Sequence, residues 1–391
     1  MKIQTLIAIA AAILTAAASF AQYAPSTWTH PGITMNSIEL QEIRRRVQNN
    51  IQPQRASWDA LVASNLSSLT YTDNARAVVE CDKATSGGFT TDGMALYSLA
   101  LRWYVSGNEA YARKAIDIMN RWSSRLTTIR ARNLEADDYY NQHVLVTGWV
   151  GHHFAEAAEI IVHTYPGWQS YGFDFTRYKN MLTNIFYPNI DNGASENGNF
   201  EASCIQSILA IAVLTENAAM FNRGVSMARN EGGYGNGAGS IPGYICASTG
   251  QAQETCRDST HTQMALGELV QAAEIAWKQG VNLYGAFPDG NGVPRLAKGL
   301  IYAAQLLRGQ SKNTNDGCGS QFAKTSNNSP CGTLNWGTSP NLEFWEIAHN
   351  HYNVRQGRGY GDIDYIAVTE SRPENVLRSQ GEFAWASLTH G

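Results

Sequence analysis

The chain predicts an all-α molecule, an α/α toroid in which helical hairpins build an inner and an outer ring. Three observations predict it. Segments that are apolar nearly all round, such as 207–214, alternate with amphipathic ones such as Tyr111–Trp122, whose apolar residues recur at helical spacing with charges opposite. A helix apolar on every side must be buried on every side, whereas an amphipathic one faces water, so the alternation yields two layers. Hairpin text also recurs at separations of about 110 to 118 residues, as stacked helix pairs require. Ser98–Ala110 is echoed by Ser207–Ala219, and Ala157–Ile160 by Ala272–Ile275, the latter two each followed by an amphipathic segment with Arg177 or Arg295 near its start. Strand signals are sparse, 363–369 being the best of them. A closed or incomplete ring of about five to seven hairpins is expected.

The elements follow in order. Lys2, the apolar stretch Leu6–Ala18 and the small-x-small triplet Ser19-Phe20-Ala21 read as a signal peptide over 1–21, which leaves Gln22 at the mature N-terminus of a secreted protein. No linker divides the remainder, so 22–391 is read as one catalytic domain. No later stretch approaches the roughly 18 uninterrupted apolar residues of a membrane span, and a monomer with no membrane partner is expected. The net charge of −4 offers no basic surface for nucleic acid. An acidic polymer would have to be held by local cations. Six cysteines in an exported chain allow three disulfides. Closeness in sequence favours Cys246 with Cys256 and Cys318 with Cys331, leaving Cys81 with Cys204; without a CxxC pair, metal binding is the weaker reading.

Polar clusters stand at the starts of the apolar helices. Asp137–His143 precedes a helix running past Ala158, which makes Gln142 and His143 candidate substrate contacts, while His152 and His153 fall mid-helix among small residues and read as structural. Asn197-Gly198-Asn199-Phe200-Glu201 opens the next apolar helix. Asn197 suits the N-cap and Asn199 is left to face the site. The glycine-rich run 232–239 has no GKS/T ending and no preceding strand, so it reads as a surface loop and not a phosphate loop. Gln251–His261 opens a further helix, with Gln251 and Glu254 as substrate contacts and Arg257 and His261 four apart on one face. The helix N-terminus there favours an anion and a neutral, proton-accepting imidazole. The plainer alternative pairs Arg257 with Asp258 or Glu254 and buries His261. Trp336 precedes the last long helix and suits stacking on a sugar ring, although such aromatics are more often core. GxSxG and HExxH are both missing, which leaves serine hydrolase and zinc protease mechanisms without support. Amide, guanidinium and imidazole together are what neutralising a sugar carboxylate and moving the proton beside it demands.

At these residues the chain resembles the alginate lyase superfamily of α/α-toroid polysaccharide lyases, and within it the glucuronan and mannuronan lyase branch, polysaccharide lyase family thirty-eight. The resemblance runs from about Asp92 to His349 and is carried by Gly250-Gln251, Glu254, Arg257-Asp258, His261, Ala272–Gly280 and Leu283-Tyr284-Gly285. Phe200 stands where such enzymes carry Trp, and no His follows Asn199. The resemblance implies β-elimination: the C5 proton of a uronate leaves, the enolate is stabilised through the carboxylate, and the C4 oxygen departs. Asn199, Arg257 and a protonated Glu254 would hold the carboxylate. In related lyases a Tyr carries the proton, and Tyr244 is the first choice, with Tyr140 and Tyr360 as alternatives and Tyr284 expected to be remote. No cofactor or metal enters this scheme. The competing readings are an α/α-toroid glycoside hydrolase using Glu201, Glu254 or Asp258, and a non-catalytic uronan-binding protein.

Overall fold

The structure is a computed structural model, and it describes residues 22–82, 86, 88–132, 141–193, 198–233, 237–314, 318–319, 322, 331–334, 336, 344–372 and 384–391. Helices dominate: α1 Ser37–Gln48, α2 Gln54–Ala63, α3 Phe89–Ser106, α4 Glu109–Arg125, α5 Gln142–Thr164, α6 Phe175–Met181, α7 Gly198–Thr215, α8 Ala218–Arg229, α9 Ile241–Tyr244, α10 Ser259–Lys278, α11 Arg295–Leu307, α12 Trp345–His349, α13 Gly361–Asp364 and α14 Ala386–Thr389. Two short ribbons accompany them: parallel β1 Val78–Cys81 with β2 Thr128–Ala131, and antiparallel β3 Lys312–Asn313 with β4 Thr333–Leu334.

The two-layer reading holds. α3, α5, α7 and α10 are buried over most of their surface and pack side by side, while α4, α8 and α11 lie outside them with one apolar face each. The echoed hairpins are the inner–outer pairs α3/α4 and α7/α8. Their outer helices are both capped by an Asn side chain, Asn108 on the Ala110 N–H and Asn217 on the Met220 N–H. By length and hydropathy α7 would also cross a membrane, but 94% of that window is buried inside the molecule, so its apolarity serves the core. A Leu-to-Ala change there costs about 2–5 kcal/mol.

Neighbouring inner helices run in the same sense. Going up the pair, Gly148 of α5 abuts Ser203 of α7 and Gly151 abuts Ser207, so closely that a Cβ on either glycine would lie 2.3 or 2.8 Å from the serine hydroxyl. Ser207 donates to the Gly148 carbonyl across the same seam. Close parallel packing brings the N-termini of α5, α7 and α10 to one end of the ring. The terminal segment returns against the helices: Trp385 donates to Ser98 at the middle of α3 at 2.8 Å, and the carbonyls of His390 and Gly391 accept from Asn350 (2.9 Å) and Arg46 (3.3 Å).

Two expectations are corrected. Residues 363–369 form no strand: α13 runs into a wider π-helical turn, Tyr365–Ser371, because the apolar residues Ile363, Ile366 and Ala367 are spaced for a helical face and all three are buried. The disulfides are Cys246–Cys318 and Cys256–Cys331, while Cys81 and Cys204 are buried thiols. Proximity in sequence misled because the nine residues between Cys246 and Cys256 form a loop whose two ends are bonded separately to Cys318 and Cys331. Cys204 is locked inside α7, facing the Phe200 carbonyl at 3.2 Å. The predicted signal segment 1–21 lies outside the described residues.

Candidate active site

The starts of α7 and α10 meet. α7 begins at Gly198, whose N–H donates to Gln253 Oε1 at 2.8 Å; the next N–H, of Asn199, points to Glu254 Oε2 at 3.4 Å. Side chains from the loop before α10 therefore cap α7, which is why the polar text at the two helix starts belongs together. Asp258 caps α10 itself, accepting the His261 N–H at 2.7 Å. Its other oxygen holds His261 Nδ1, also at 2.7 Å. That contact leaves the Nε2 of a side chain 31% exposed for a ligand. The spacing Asp258-x-x-His261 is the signal in the sequence for this cap.

Arg257 pairs with Glu254 at 2.7 Å, as the plainer alternative foresaw, and stands 3.9 Å from Asp258. The pairing engages part of the guanidinium fork and keeps the side chain 26% exposed. Glu254 is 3% exposed, and burial pushes its carboxyl upward against the pull of Arg257. A carboxyl raised in this way holds a proton more readily and can then donate a hydrogen bond. Asp258 moves the other way: burial would raise it, but hydrogen bonds from the His261 ring and N–H hold it below the usual carboxylate range. Asn199 is 1% exposed, and its Oδ1 has no partner among the described residues. An unmatched buried amide is costly, and a ligand contact would relieve it.

Tyr244 lies beneath this group. It is fully buried, its ring edge fills the space a Cβ on Gly198 would need, and its hydroxyl donates to the His261 carbonyl at 3.4 Å. Burial, then the charges of Glu254, Glu268 and Asp258, drive its pKa well above 10. This geometry corrects its assignment as proton carrier: a ring packed between two helix starts supports them and presents no hydroxyl outward. Tyr360 is also misplaced for that role, packing 5.7 Å from Tyr352, which donates to Tyr284; Tyr284 in turn binds Glu274 near the far end of α10. Tyr284 is remote, as expected. Tyr140 and Asn197 lie outside the described residues.

Gln251 does not face a ligand. It is 1% exposed, and its amide donates to the Phe322 carbonyl, fastening the disulfide-bound 318–331 region to the loop before α10. Gln142 and His143 are half-buried at the start of α5, on the same end of the ring as Asn199. Trp336 is half-buried against the core. His152 and His153 are buried with their rings tilted against one another, centroids 3.9 Å apart, in keeping with a structural role. Glu201 accepts the N–H groups of Gly237 (3.1 Å) and Gly239 (2.7 Å), so it anchors the glycine-rich segment to α7, and the hydrolase reading loses that carboxylate.

The profile of the alginate lyase family matches residues 46–311, more than half of the chain. The chain belongs to the alginate lyase family. It is a polysaccharide lyase. Alginate lyase A1-III from Sphingomonas species A1 is similar in fold at 12% identity and a TM-score of 0.60, with 90% of this chain and 94% of that one covered. A substituted A1-III complexed with a tetrasaccharide gives the same score at 13% identity and the same coverage. An alginate lyase from Bacteroides ovatus gives 0.55 at 14% identity, covering 90% and 98%. A comparison with curated proteins found no match. These neighbours are α/α toroids, in agreement with the layered rings of the enzyme.

Proposed function

We propose that the enzyme cleaves β-1,4-linked D-uronans, glucuronan or mannuronate-rich alginate, by β-elimination, leaving a 4,5-unsaturated sugar at the new non-reducing end. The observation that carries this reading is the juncture of α7 and α10, where Asn199 Oδ1, Arg257, Glu254 and the Asp258-held ring of His261 converge. Arg257 and a protonated Glu254 hold the uronate carboxylate and the charge that builds on it as the C5 proton leaves. The Asn199 amide joins them through its NH₂ group, and its unmatched Oδ1 accepts from a sugar hydroxyl. His261 Nε2 takes the C5 proton, its ring held through Nδ1 by Asp258, in the manner of a carboxylate-oriented base. In β-D-mannuronate and β-D-glucuronate the C5 hydrogen and C4 oxygen lie on one side of the ring, so the imidazolium can return the proton to the leaving oxygen.

Placement in the glucuronan and mannuronan branch rests on the text from Gly250 to Gly285. Two disulfides support an oxidising compartment, and with the N-terminal apolar stretch they favour a secreted protein. The experiment is to incubate the protein with glucuronan, polymannuronate and polyguluronate and to follow ultraviolet absorbance of the conjugated product. Absorbance should rise with the D-uronans. Reducing ends appearing without absorbance would replace elimination by hydrolysis, and binding without turnover would leave a uronan-binding protein.

A further inference from the structure

Three side chains that the elimination does not use converge at the other end of the ring. Glu159 and His163 lie four apart near the C-terminal end of α5, and His30 comes from the segment that precedes α1. One donor atom from each lies within 4.8 Å of the others. His30 Nδ1 is 2.6 Å from Glu159 Oε1, His163 Nε2 is 3.6 Å from Glu159 Oε2, and the two imidazoles stack with centroids 4.5 Å apart and planes 8° from parallel. Glu159 is 1% exposed. Its Oε1 also accepts the Gly32 N–H at 3.1 Å, but its Oε2 makes no hydrogen bond among the described residues. On the outer side, His30 Nε2 meets Glu216 Oε1 at 3.2 Å, from the turn between α7 and α8.

We propose that His30, Glu159 and His163 form a binding site for one divalent transition-metal ion, zinc fitting best, which pins the N-terminal segment to α5. Two imidazoles and a carboxylate are the donor set that such ions favour. The Glu216 contact completes the pattern: an Nε2–H of His30 donating to a carboxylate fixes the tautomer and turns the Nδ1 lone pair toward Glu159. Two electron-rich atoms at 2.6 Å then need an electrophile between them. A proton would satisfy that pair and leave Glu159 Oε2 unserved, whereas a dication serves both oxygens and offsets the burial of the charge. Ligand bonds of about 2.0–2.2 Å place tetrahedral donors roughly 3.3 Å apart, so the closest pair need part by less than about 1 Å, and because imidazole lone pairs lie in the ring planes the half-exposed His163 ring must also turn out of the stack to reach the ion. The His163 side chain, 31% exposed, provides the entry path and an open fourth position for water. Glu159 stands seventeen residues beyond Gln142 along α5, roughly 26 Å at 1.5 Å per residue, so the ion stabilises the fold without touching the elimination.

The test uses the full chain stripped with EDTA and dialysed. Zinc titrated by calorimetry, in competition with a chromophoric chelator, should bind at one ion per chain and raise Tm by a few degrees, and cobalt should give visible absorption of a low-coordinate site. Turnover on uronan should be equal in the stripped and zinc-loaded protein. His163→Ala, at a half-exposed position, should fold normally, weaken zinc roughly 100-fold and abolish the zinc-dependent rise in Tm. Glu159→Gln should do the same, and because it disturbs a buried contact to Gly32, His163→Ala decides. No stoichiometric binding, or a rise in Tm that persists in His163→Ala, overturns the site. Turnover that needs the ion overturns its stabilising role.

Discussion

Asp258 divides its two oxygens between the backbone and the ring of His261, so one carboxylate sets where α10 starts and which imidazole nitrogen faces the substrate. His261→Ala and Asn199→Ala should each reduce uronan turnover about a hundredfold or more with unchanged circular dichroism, since one lost transition-state contact costs roughly 3 kcal/mol. Tyr244→Phe should behave differently. It removes one buried hydrogen bond, costing about 1 kcal/mol of stability, and should leave turnover within a few-fold. A loss as large as that of His261→Ala would restore Tyr244 as the proton carrier. Glu156 gives a pH signature independent of catalysis. Burial lifts its carboxyl to about 7, despite hydrogen bonds from Thr34, from an unfolded value near 4.5. The native state therefore binds this proton more tightly than the unfolded chain. Its contribution is fully present below about pH 4.5 and is lost as pH rises through about 7, by on the order of 3 kcal/mol. Urea unfolding from pH 4 to 8 should show that loss in the wild type relative to Glu156→Gln; parallel profiles would reject it.

The helix starts carry the function, and their spacing is unforgiving. A Cβ at position 198 would lie 2.3 Å from the Tyr244 ring and 2.7 Å from the Ala238 carbonyl, backbone that cannot retreat. Gly198→Ala should therefore destabilise the protein by about 1–3 kcal/mol and lower turnover as well, because Asn199 moves with the helix end. A stable, fully active Gly198→Ala would show that α7 is not held by this contact. The element level was also the most legible in the sequence. Helical spacing of apolar residues separated α4 from α7, and the echo of Ser98–Ala110 by Ser207–Ala219 marked the two inner–outer pairs. Contacts between distant segments were hidden: that Gln253 caps α7, that Gln251 faces Phe322, and that Cys246 reaches Cys318 are consequences of docking and leave no periodic trace. Tyr244 misled because nearness to the site in sequence says nothing of which face its ring takes.

Across the whole molecule the two disulfides span 72 and 75 residues of sequence and both end on the loop that carries Gln251, Glu254 and Arg257. Closing a loop of that length is worth about 4 kcal/mol in the chain-entropy account, and less than twice that for two overlapping loops. Reduction with dithiothreitol, or a Cys318→Ser/Cys331→Ser variant, should lower Tm and cut turnover together. A variant as active as the wild type would show that the capped helix starts hold without the clamp. The shared sense of α5, α7 and α10 has a further consequence, for the approach of substrate. The aligned starts of α5, α7 and α10 place partial positive charge around the mouth that holds Arg257, although the net charge is −4. A polyanion drifting near such a body feels a torque before it feels a contact, and meets the mouth with Arg257 more often than chance allows. Association with uronan should accordingly slow as sodium chloride rises from 10 to 300 mM, the opposite of the acceleration that screening brings to two uniformly negative bodies.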